Sequence, residues 1–281
     1  MLGAIVGDIV GSRFEFNNHR SKDFELFDPS CFPTDDSIMT LAIAQALMEA
    51  VAEFHGAALD ASFDERLSEL AVKRMRSIGQ RYPNCGYGGR FGVWMFESDP
   101  QPYNSFGNGA AMRISPIGFF ASNAEQVKRW SQAVTRVTHN HPEGIKGAEA
   151  TAMAILLARQ GASQDEIREL IQRDYYPLDF TIDEIRPTYP FNETCQLTVP
   201  QAIQCFLESE SFEDAIRIAI SLGGDSDTVA AIAGPIAEAF YKGVPTEIGE
   251  QAVSYLDENL QAILHRWQQF EVLPLVRNTD N

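Results

Sequence analysis

The chain has 281 residues, 44% hydrophobic and 10% aromatic, enough to bury a substantial core and too apolar for a disordered segment. It carries 22 basic and 39 acidic residues, and no Lys/Arg run offsets the net charge of -17, which repels phosphate backbones and argues against nucleic acid as a partner. A membrane is excluded as well, because no apolar run approaches the roughly 20 residues that span a bilayer.

The opening segment, MLGAIVGDIVGSRFEF, is apolar but lacks a basic leader and carries Asp8 in its middle. It reads as a helix of the mature core, not as a signal peptide. Apolar residues then recur at helical spacing over 35–54, 65–75, 124–137, 143–161, 164–174, 212–222 and 247–270, and alternating strand patterns are scarce. Ser62 with Glu65 and Ser163 with Glu166 read as capping boxes at two helix starts. The glycine-rich stretches 84–92 and 104–112 and the proline-bearing stretch 173–195 read as long loops, where function concentrates. No repeat, linker or low-complexity segment divides the chain, so the expectation is one all-α domain over 1–281. Cys31, Cys85, Cys195 and Cys205 form no C-x-x-C pair and read as structural thiols of a cytoplasmic protein.

Two acidic clusters stand out. In PTDDSIMTLAIAQAL, Thr34, Asp35 and Asp36 precede an apolar helix; in GGDSDTVAAIAGPIAEAF, Asp225, Asp227 and Thr228 do the same. One acid per helix start would serve as a cap and complement the dipole. Two neighbouring carboxylates repel each other unless a cation holds them. Ligands that are all oxygen suit hard ions, Mg²⁺ or Mn²⁺, and two such clusters brought together can hold a pair roughly 3.5–4 Å apart. An EF-hand is excluded, because Ala230 takes the place of the turn glycine and Ile236 that of the bidentate glutamate. The D-x-D-x-[TV] pattern of haloacid-dehalogenase-like phosphatases matches Asp225 to Val229 but should end the first strand of a sheet, and the rest of this chain reads as helix. A serine nucleophile at Ser226 is opposed by its flanking carboxylates.

Taken together and in this order, PTDD, GNGAAMRISPIG, THNHPEGIKGA and GGDSDTVAAIAG resemble the ADP-ribosylglycohydrolase family, the relatives of dinitrogenase reductase-activating glycohydrolase. The likeness runs from Gly3 to about Phe240. It implies a compact orthogonal helical bundle with a dinuclear Mg²⁺ or Mn²⁺ centre that hydrolyses the glycosidic bond joining ADP-ribose to an acceptor. Carried over by position, it makes Thr34, Asp35, Asp36, Asp225, Asp227 and Thr228 the metal ligands. It makes Gly107, Asn108, Gly109, Ala110, Ala111, Met112 and Arg113 the ribose- and diphosphate-binding loop; on the residues alone this is a glycine-rich turn with Asn108 as a helix N-cap. It places His139 against the ADP-ribose; on the residues alone, His139 and His141 could be metal ligands, acid/base groups or, most commonly, ordinary helix-terminal residues. It puts Glu15 on a loop covering the metals, with Glu15, Asp35 or Asp36 transferring protons. Arg13 stays open between that carboxylate and a substrate phosphate, and Tyr87 reads as core packing before base stacking.

The expected partner is an ADP-ribosylated protein or small molecule, or a nucleic acid only where its end is ADP-ribosylated. The linkage stays open among arginine, serine, a nucleic-acid end, a polymer and a small metabolite. Rival readings are a module that binds ADP-ribose without turnover and a metal-dependent phosphohydrolase.

Overall fold

Helix α1 (Leu2–Gly11) opens the chain, and every residue from Gly3 onward is buried, Asp8 included. The computed structural model describes residues 1–55 and 57–272. After a long loop come α2 (Asp35–Glu53), where the Thr34 hydroxyl accepts from the Asp36 N–H, and α3 (Ala61–Gly79). The cap of α3 is Asp60, not Ser62: the helix starts one residue before Ser62, whose N–H and hydroxyl both donate to the Asp60 carboxylate. Three short helices follow, α4 (Gly89–Trp94), α5 (Gly109–Met112) and α6 (Ser115–Phe120). Next are α7 (Ala124–Thr135), α8 (Pro142–Gln160) and α9 (Gln164–Asp174), the last opened by a capping box between Ser163 and Glu166.

The expected loop over 173–195 contains a short helix, α10 (Ile182–Ile185), and leads into α11 (Cys195–Leu207), which carries Pro200 inside it. Then come α12 (Phe212–Leu222) and α13 (Ser226–Phe240). The apolar run 247–270 is two helices, α14 (Thr246–Val253) and α15 (Glu258–Val272), because the Asp257 carboxylate accepts from the N–H groups of Asn259 and Leu260 and starts a new helix. Among the described residues there is no strand, only an isolated bridge between Gly107 and Thr194. The fold is all-α, and no described helix is long and apolar enough to cross a membrane.

Helix α13 sits at the centre, against α1, α8, α11 and α12. Its crossing with α1 is made by small residues one helical turn apart. A Cβ on Gly3 or Gly7 would fall on the backbone of Gly234 or Ala230, and one on Gly11 would fall on Asp227. Residues four apart share one helix face, so this spacing lets the two backbones touch along their length. The consequence is positional: the end of α1 lies against the start of α13. Asp8 then fixes a third helix end, because its carboxylate accepts from Thr34 N–H (2.9 Å), Thr34 Oγ1 (2.5 Å) and Ser37 N–H (3.0 Å) at the start of α2.

Candidate active site

The two acidic clusters meet. Thr228 Oγ1 donates to Asp36 Oδ2 at 3.2 Å across 192 positions of sequence. Carboxylate oxygens of Asp8, Asp36 and Asp227 lie within 4.8 Å of one another, and so do those of Glu15, Asp225 and Asp227. Asp227 thus belongs to both groups. Simple capping does not account for the arrangement: Asp225 occupies the N-cap position of α13 yet caps nothing, and its Oδ2 accepts instead from Asn108 Nδ2 at 2.6 Å. The turn that delivers Asp225 uses Gly223 and Gly224 at φ 76° and 71°, where a side chain would be strained. Asn18 holds that turn to the loop carrying Glu15, donating to the carbonyls of Glu15 (3.0 Å) and Gly224 (2.9 Å) and accepting from Gly224 N–H (2.8 Å).

Burial works against charge in every one of these carboxyls. It pushes Asp8 up to about 6 despite the hydrogen bonds from Ser37 and Thr34, and it pushes Glu15 up to about 7, with the charges of Asp225, Asp8 and Glu193 adding to the shift. Asp35, Asp36 and Asp227 are raised well above the carboxylate range, first by burial and then by one another and their acidic neighbours. Asp225 is raised by burial too, offset in part by the Asn108 amide that donates to it. No ion pair relieves any of them among the described residues. Asp36 is 2% exposed and its Oδ1 has no hydrogen-bond partner. A buried carboxylate oxygen left unsatisfied is destabilising. Divalent cations of the hard, oxygen-seeking kind fit this donor set and would satisfy it.

These carboxylates form one wall of a cleft of about 380 Å³, lined there by Glu15, Asp35, Asp36, Asp225, Asp227 and Thr228. The same lining includes Gly107, Asn108, Gly109, Met112, Arg113 and His139. Thr34, Ala110 and Ala111 are buried behind the lining. Asp35 abuts Gly86, where a Cβ would stand 2.8 Å from Oδ1, and its N–H donates to the Cys85 carbonyl at 2.6 Å. The Gly107 loop is pinned by Asn108 N–H on the Glu193 carbonyl (2.8 Å) and Cys195 N–H on the Phe106 carbonyl (2.9 Å). Asn108 does stand at the N-cap of α5, but its side chain makes no cap bond and turns to Asp225 and Thr198.

His139 Nε2 would be 3.5 Å from a Cβ on either Gly107 or Gly109. Burial, followed by the Arg113 charge, keeps this imidazole well below the usual histidine range and hence neutral. Arg113 is itself buried, donating to Thr138 Oγ1 at 2.7 Å with its guanidinium over the Phe91 ring. His141 caps α8, accepting from Glu143 N–H at 3.1 Å. Arg13 turns away from Glu15 to the Glu25 carbonyl and the Asp28 carboxylate. Tyr87 packs on the core and stacks on Phe91.

Sequence reasoning passed over Asp8, although an acid in the middle of an apolar helix is a visible signal. It also passed over Glu193, Arg90 and Tyr103, all in the cleft lining, with Arg90 lying over the Tyr103 ring. Nothing in their local sequence separates them from surface residues.

A family model described as ADP-ribosylglycohydrolase matches residues 1–272. The chain is 26% identical over 353 residues to the Mus musculus protein ADP-ribosylhydrolase ARH3, covering 95% of this chain and 90% of that one. It is 28% identical over 301 residues to ADP-ribosylarginine hydrolase Tri1 of Pseudomonas putida (strain GB-1), covering 97% and 79%. A solved ADP-ribosylglycohydrolase-related protein complex shares the fold, with a TM-score of 0.65 at 22% identity over 96% of this chain and 97% of that one. An all-α glycohydrolase is the class of enzyme these matches define. The chain belongs to the ADP-ribosylglycohydrolase family.

Proposed function

We propose that the cleft hydrolyses the glycosidic bond between ADP-ribose and an acceptor, releasing ADP-ribose, with a pair of Mg²⁺ or Mn²⁺ ions as cofactor. The observation that carries this reading is the meeting of two distant acidic clusters around an unpartnered, buried Asp36 oxygen. Thr34, Asp35, Asp36, Asp225, Asp227 and Thr228 would hold the ions, and Asp8 would brace the set from beneath through Thr34 and Ser37. When bound, such a pair supplies Lewis acidity toward the distal ribose hydroxyls and a water.

The remaining chemistry falls to the protein. Glu15 sits half-buried at the cleft on the turn after α1 and shares the Asp225–Asp227 group. That position supports Glu15 as the carboxyl that would move a proton to or from water or the departing acceptor, while Asp35 and Asp36, if they hold cations, stay ionised. The carboxylate wall also favours the positive charge that builds at C1″ as the bond opens. Elsewhere in the cleft lining, the Gly107–Arg113 loop and His139 would bind the ribose and diphosphate. Backbone N–H groups and bound cations let an acidic protein hold an anionic substrate without lysines.

Mass spectrometry of products from a panel of defined ADP-ribosylated peptides and nucleotides, with and without Mg²⁺ or Mn²⁺, tests the proposal. Free ADP-ribose formed only with metal supports it. Phosphate release would make the protein a phosphohydrolase, and tight binding without product would make it a reader of ADP-ribose.

A further inference from the structure

Thr138, fully buried, carries one hydroxyl hydrogen. Its oxygen accepts from Arg113 Nη2 at 2.7 Å, a bond in which arginine can only donate. The hydroxyl hydrogen has two acceptors in range, His139 Nδ1 at 2.8 Å and the Thr135 carbonyl at 3.5 Å, and the shorter contact takes it. Arg113 Nη2 also comes within 3.4 Å of the same Nδ1. Two groups able to donate therefore converge on Nδ1, an arrangement that favours a lone pair over a proton there. A neutral imidazole must then carry its hydrogen on Nε2. Among the described residues Nε2 has no partner, and it lies where Gly107 and Gly109 leave the cleft open.

We propose that Thr138 and Arg113 are positioning residues that lock His139 in the Nε2–H tautomer, so that Nε2 donates to an oxygen of the ADP-ribosyl group beside Gly107 and Gly109. Arg113, 1% exposed and without a carboxylate partner among the described residues, would then act on the substrate through Thr138 and His139, while the backbone of its loop faces the ligand. The identity of the ligand rests on the function proposed above; the tautomer does not.

Long-range ¹H–¹⁵N spectra of the full chain with labelled histidine separate the two parts. His139 is assigned by the signal lost in His139→Gln. The expected result is an Nε2–H imidazole that stays neutral from about pH 6 to 8. Thr138→Val, close in shape but without the hydroxyl, should give a mixed tautomer and weaken ADP-ribose binding about tenfold, with KM rising and kcat nearly unchanged. Thr138→Ser should restore both. An Nδ1–H or charged His139 in the parent protein overturns the proposal, as does a Thr138→Val protein that keeps its tautomer and its affinity. An Nε2–H tautomer in a protein that binds no ADP-ribose overturns the ligand half together with the functional reading.

Discussion

Glu15 and Asp8 both place a carboxyl at the same acidic centre, but in different surroundings. Glu15 lies half-buried on a turn outside the helices, and the proposed function makes it the proton-transfer group. Glu15→Gln should leave the melting temperature and metal affinity near those of the parent and lower kcat by roughly 10²–10⁴-fold. Near-normal turnover would move the proton transfer to Asp35 or Asp36. Asp8 is buried among the Thr34 and Ser37 donors, and the expected effect of its titration is on stability. In the metal-free protein, Asp8 and Glu15 are raised from 3.8 and 4.5 to about 6 and about 7, so the folded state binds more protons than the unfolded one between those values. Their contribution is complete below about pH 4 and is lost as pH rises through about 6 to 7; Asp35, Asp36 and Asp227, raised further, carry the loss upward. Chelator-treated protein should therefore melt at a higher temperature near pH 5 than near pH 8, and Mg²⁺ should narrow the gap. A metal-free protein equally stable or more stable at the higher pH would show that the carboxylates are not crowded in this way.

At the scale of helices, the α1–α13 crossing decides whether the centre assembles. Gly7 meets the backbone of Ala230, so Gly7→Ala should cost about 1–3 kcal/mol in a urea titration. Gly11→Ala should add a second effect, because its Cβ would fall on Asp227: metal affinity should drop along with stability. Equal metal affinity in the two variants would detach the crossing from the site. The amphipathic helices were legible because apolar residues keep to one face over several turns, as in α3, α7 and α12, and α2 and α8 because their apolar runs are long. Helices α4, α5, α6 and α10 span six residues or fewer and are too short to show a period. Pro200 disguised α11, and the break at Asp257 was hidden because apolar residues keep helical spacing on both sides of it.

At the scale of the molecule, three helix ends far apart in sequence meet at one carboxylate centre. The Thr34–Asp36 and Asp225–Thr228 segments were legible because acids crowded before an apolar helix exceed what capping needs. Their meeting was not, since the 3.2 Å contact from Thr228 to Asp36 depends on how α1, α2 and α13 pack. Asp8 was visible in sequence but served only to argue against a signal peptide. If the centre binds cations, ions at a hundredfold excess over their dissociation constant should stabilise the fold by about 2.7 kcal/mol. The sharpest test is calorimetric titration of Mg²⁺ or Mn²⁺ into chelator-treated parent protein, Asp36→Asn, Asp227→Asn and the double variant, with turnover measured on each. One shared centre predicts two ions in the parent, loss or weakening of at least one in either single variant, and turnover in both singles nearly as low as in the double. Two bound ions of unchanged affinity and normal turnover in both single variants would contradict it.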